Sequence, residues 1–96
     1  MKNIQLKNTS HSFSSNKDGL ILFNIFERTI KEKSSILLEI DNEIAMSSSF
    51  LNSSFGEALN LYGLDVLKSH IKIKTSKNQF ERISNYISKY KRVHLA

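Results

Sequence analysis

Ile36-Leu37-Leu38-Glu39-Ile40, closed by Asp41-Asn42, is the stretch whose reading decides the fold. It is too short for a helix and rich in aliphatic residues, so it reads as a central strand ended by two polar residues. Ile44-Ala45-Met46 then makes a short apolar segment that runs into Ser47-Ser48-Ser49. From about Ser49 to Tyr62, the residues Leu51, Phe55, Ala58, Leu59 and Tyr62 recur at helical spacing, and Gly63 closes the helix as a C-cap would. A strand, a serine-rich turn and a helix therefore follow one another.

Upstream, Ser15-Asn16-Lys17-Asp18 has the spacing of a capping box, with aspartate at the acidic position, and starts a helix that runs to about Lys33. Phe23, Phe26 and Ile30 share one stripe with Leu22 beside it, which is a core face. Leu20, Ile21 and Ile25 add more apolar surface than one stripe requires; deep burial in a small domain accounts for them, and an interface is the alternative. Gly19 in the first turn costs up to about 1 kcal/mol relative to alanine. Ile4-Gln5-Leu6 alternates as a short opening strand does, and the polar run from Asn8 to Ser14 reads as a loop or short hairpin anchored by Phe13.

Downstream, Leu64, Val66 and Leu67 form a bridging turn, and Ile71-Lys72-Ile73-Lys74 alternates like a strand with one wet face or at a sheet edge. Ser76 caps a last helix with Phe80, Ile83, Ile87 and Tyr90 on its inner face and Lys77, Arg82, Lys89 and Arg92 on the other. Strands joined by helical crossovers imply an α/β fold. The expectation is a single-layer mixed sheet of about four strands packed with three or four helices. No repeat or boundary interrupts the chain, so residues 1–96 read as one domain.

Composition narrows the chemistry. Cysteine is absent, which excludes disulfides, thiolate metal sites and cysteine nucleophiles. No apolar run approaches the roughly 18 residues of a membrane span, and Met1-Lys2-Asn3-Ile4 does not open a secretion signal, so a soluble, cytoplasmic protein is expected. His11, His70 and His94 do not fall at ligand spacing, so no metal site is expected. Glu39 and Asp41 project from one side of the strand, as an acid–base pair would, or as ordinary residues at a wet strand end. The three glycines are isolated and build no phosphate loop, so neither a cofactor nor catalysis is expected.

The net charge of +5 comes from lysines spread along the chain. That pattern suits solubility. An alternative is a basic surface of Lys72, Lys74, Lys89, Lys91 and Arg92 that meets nucleic acid. The serine run carries more information. A serine there caps the exposed N–H groups of the first helical turn, and a hydroxyl at that place also suits phosphorylation.

Leu37 to Leu51 resembles, without a gap, the signature of STAS domains, the sulphate-transporter and anti-sigma-factor-antagonist family. That signature is a strand ending in Asp-Leu, then Ile-Asp-Ser-Ser-Gly-Leu opening a helix. Closer still is the STAS-like domain of unknown function, matched by Ser49-Phe50-Leu51 and Phe55-Gly56, with Phe13-Ser14-Ser15 and Asp18-Gly19 resembling its lead into the first helix. The resemblance implies a regulatory module that binds a protein, such as a kinase-like ATPase or anti-sigma-type regulator. The family's phosphorylated serine falls on Ser48, its preceding aspartate on Ser47 and its glycine on Phe50. The implied contact edge is Ser47, Ser48, Ser49 and Phe50, continued by Asn52 and Ser53. A phage or defence-system protein that blocks a host complex through such a surface is a further alternative.

Overall fold

The aliphatic run Ile36–Ile40 forms β2, the middle of a three-stranded sheet in the order β1-β2-β3, with β1 spanning Lys2–Gln5 and β3 Ile71–Thr75. This computed structural model describes residues 1–94, with side chains through Lys91. Both pairings are parallel, and Ile36, Leu38 and Ile40 lie opposite Ile71, Ile73 and Thr75. The sheet is therefore parallel with three strands, where a mixed sheet of about four was expected. Of the two readings of the run from Asn8 to Ser14, the loop forms and the hairpin does not: the run carries one large apolar residue, Phe13, and a strand needs an alternating set to bury. A 3-10 turn, Leu6–Asn8, and a loop take its place.

Four helical stretches accompany the sheet: α1 (Asn16–Lys31), a continuous run from Ser48 to Tyr62, α4 (Leu64–His70) and α5 (Lys77–His94). The continuous run consists of α2 (Ser48–Leu51), a π turn (Asn52–Gly56) and α3 (Glu57–Tyr62). The bridging turn expected at Leu64–Leu67 is instead the start of α4, opened by Gly63 at φ +85°.

Because both crossovers step in one direction across the sheet, the right-handed rule puts their helices on one face. The burial pattern agrees. Ile36, Leu38, Ile40 and Ile71 are buried, whereas Asn3, Gln5, Lys72 and Lys74 on the opposite face are exposed. A parallel sheet with one wet face is uncommon, and the polar residues there explain its tolerance.

The cap expected at Ser15 forms: its Oγ accepts from the Asp18 N–H at 3.2 Å. α1 ends two residues earlier than expected, with Lys33 at φ +54°. The Lys33 N–H donates to Ile30 and the Ser34 N–H to Thr29, both at 3.1 Å, which is the paired bonding of a Schellman stop. Leu22, Phe23 and Phe26 enter the core, and Phe26 meets the Phe55 ring at 5.2 Å between centroids. Leu20 and Ile21, for which burial was expected, are exposed, and Ile25 is half-buried. Phe80, expected on the inner face of α5, is 53% exposed.

Candidate partner-binding edge

The starts of α1, α2 and α5 all lie beyond the C-terminal ends of the strands, since each follows a strand of one parallel sheet. Ligands of α/β sheets meet the fold at that end. The serine run sits there. Ser47 Oγ accepts from the Phe50 N–H at 3.1 Å, and the Ser47 carbonyl accepts from Leu51 at 3.0 Å. Ser47 is thus the cap, and Ser48 and Ser49 carry the remaining first-turn N–H groups on an exposed ledge.

The ledge is held from three sides. Beneath it, Phe50 is fully buried and meets Phe13 edge-on at 5.5 Å, while the Phe13 carbonyl accepts from the Ser47 N–H at 3.0 Å. Phe50, read from sequence as part of the contact edge, therefore supports it from below and presents no side chain outward. Beside it, Gly19 of α1 passes so close that a Cβ there would lie 2.5 Å from the Phe50 carbonyl oxygen and 2.7 Å from the Ser53 Cβ. The glycine read as a helix cost is the residue that lets the two helix starts touch. On the third side, α5 closes the site: Tyr86 donates to Asn52 Oδ1 at 2.7 Å, and Arg82 donates to the Met46 carbonyl.

Asn52 and Ser53 continue the ledge into the π turn, where the Glu57 N–H bonds to the Asn52 carbonyl across five residues. Such turns recur at functional sites because the extra residue re-aims the side chains around it. Ser53 donates to Asn16 Oδ1 at 2.9 Å, and Ser54, buried behind it, donates to the Phe50 carbonyl at 2.7 Å. Nearby, hydrogen bonds from Ser10, then Ser15, hold the Asp18 carboxyl below the usual aspartate range.

Sequence reading did not identify Gln79. It is buried, and its amide donates to the carbonyls of Ile44 at 2.6 Å and Asp41 at 3.0 Å, fastening the loop that leads to the serines. A signal was present, because Ser76-Lys77-Asn78-Gln79 has the serine-to-glutamine spacing of a capping box. The expected cap at Ser76 forms, its Oγ accepting from the Gln79 N–H at 3.3 Å.

Other candidate groups do not assemble. Glu39 pairs with Lys74 at 3.7 Å and Asp41 with Lys7 at 3.4 Å, so each carboxylate has its own cation. His70 bonds the Ser34 carbonyl through Nδ1 at 2.6 Å. Among the described residues no cluster of His, Asp or Glu could hold a metal ion. No helix there is long and apolar enough to cross a membrane. Of the basic set, Lys72 and Lys91 line one groove, where Lys72 donates to the Lys68 carbonyl at 2.8 Å, whereas Lys74 lies on the open sheet face and Lys89 on another flank of α5. The side chains of Arg92 and His94 lie outside those described.

Residues 18–81, from the start of α1 to the first turn of α5, match the family model described as a STAS-like domain of unknown function. No curated protein and no solved structure matches the chain.

Proposed function

The chain belongs to the family of STAS-like domains of unknown function, and from that premise we propose a non-catalytic regulatory module that binds a protein through the Ser47–Ser49 ledge. Asn52 and Ser53 extend the contact. The partner class that fits the STAS resemblance is a kinase-like ATPase or anti-sigma-type regulator, with Ser48 as the phosphorylation point. One observation carries the reading: Ser48 and Ser49 are exposed at the start of a helical run whose underside is locked by Phe50, Phe13 and Gly19. A preorganised polar ledge lowers the ordering cost of association. A phosphate on Ser48 would add about −2 charge beside first-turn N–H groups.

Affinity capture from host lysate, with nuclease present, tests the reading. Ser48→Arg and Ser49→Arg are suitable disruptors because both side chains are exposed, whereas a change at buried Phe50, or at Asn52 that accepts from Tyr86, would report on folding as well. The expected result is one stoichiometric protein retained by wild type and lost by both variants. Capture seen only when nuclease is omitted would replace this reading with a nucleic-acid role for the basic residues. Ser48→Asp weakening capture while Ser48→Ala does not would support the phosphate switch; equal capture by both would remove it.

A further inference from the structure

A second surface lies between α4, β3 and α5, away from the serine ledge. Leu64, Ile73, Phe80 and Ile87 line a groove of about 460 Å³ there. Phe80 and Ile87 belong to a stripe of α5 that continues through Ser84 and Lys91, offset from the flank that bonds the serine ledge. Three lysines, Lys68, Lys72 and Lys91, also line the groove, and none of its described lining residues is acidic. β3 is the last strand of the sheet, so its outer edge borders the same groove. Most of the α5 lining residues fall beyond the stretch matched by the family model.

We infer that this groove binds an acidic segment of a partner protein, one that carries apolar side chains between its carboxylates. The apolar floor takes the side chains, and burial of an aromatic such as Phe80 supplies the anchoring contact. The all-positive lining selects acidic sequence and speeds encounter. The edge of β3 offers backbone groups to an extended chain. A second copy of this protein is disfavoured, because a two-fold contact would set the same three lysines against themselves. Single-stranded nucleic acid needs a run of stacking rings, and this lining contributes one aromatic, Phe80, among aliphatic residues.

Panning random display peptides on the immobilised full chain tests the inference. The enriched peptides should carry a clear excess of Asp and Glu with interspersed apolar residues. Their binding, read by fluorescence polarisation, should fall about tenfold or more in Phe80→Glu and in Lys68→Glu/Lys91→Glu. Phe80 is exposed, so circular dichroism of Phe80→Glu should match wild type. Ser48→Arg should leave peptide binding unchanged, which separates this surface from the ledge. No enrichment, enrichment without acidic excess, or peptides indifferent to Phe80→Glu would overturn the inference. So would a dimer in sedimentation that Phe80→Glu dissolves, or single-stranded RNA binding that depends on Phe80.

Discussion

The two flanks of α5 meet the rest of the molecule in opposite ways. One flank, Gln79, Arg82 and Tyr86, is polar and makes close hydrogen bonds to the 41–46 loop and Asn52. The other, Phe80, Ile87 and Lys91, carries the large apolar residues and leaves a groove. Polar residues fasten the tight side because loop carbonyls removed from water need donors. On the loose side Ile83 is buried and Ile87 half-buried against the core, while Phe80, one turn earlier, is left uncovered. Burial along α5 follows available partners: Gln79 is buried and its neighbour Phe80 is exposed, the reverse of what hydrophobicity alone would assign.

The largest test of that contrast lies at the ledge. Gly19→Ala should destabilise the protein by about 2 kcal/mol, since overpacking against backbone outweighs the helix-propensity gain of up to about 1 kcal/mol. Chemical denaturation measures it, and a stabilised variant would mean that α1 and α2 do not meet as described. Gln79→Ala should cost about 1–2 kcal/mol by leaving loop carbonyls without their donor. Its loss should also weaken any binding at Ser48 through a looser 41–46 loop, a pairing that titration calorimetry can check.

A pH series sharpens the same comparison. The folded Asp18 has a depressed pKa, so its contribution is present above the unfolded value of about 3.9 and is lost as pH falls through the lower folded value. Melting temperature should therefore drop on that acid limb, and Asp18→Asn should flatten the drop while the groove variants retain it. The smallest effect belongs to the loose flank: Phe80→Ser should change stability by no more than about 0.5 kcal/mol. A loss of several times that size would place Phe80 in the core after all.

Much of the frame was legible because its causes are local. The aliphatic run Ile36–Ile40, the Ser15 cap and the serine run before a helix each act within a few residues, and each appears where the sequence placed it. The candidate ledge was legible for the same reason, as a capped helix start after a strand. What escaped depends on distant partners. The π turn at Asn52–Gly56 interrupts what periodicity read as one regular helix, and α4 forms where short apolar spacing suggested a turn.

By itself, the sequence determined the α/β class, the order of its main elements and the absence of cysteine, because periodicity, caps and composition are properties of the chain alone. Only the tertiary structure decided which apolar residues stay wet, why Gly19 is a glycine, and that Gln79 fastens the loop before the serines. Those outcomes turn on what lies opposite each side chain, and for Gly19 and Gln79 residues 31 to 38 positions away in the chain supply it.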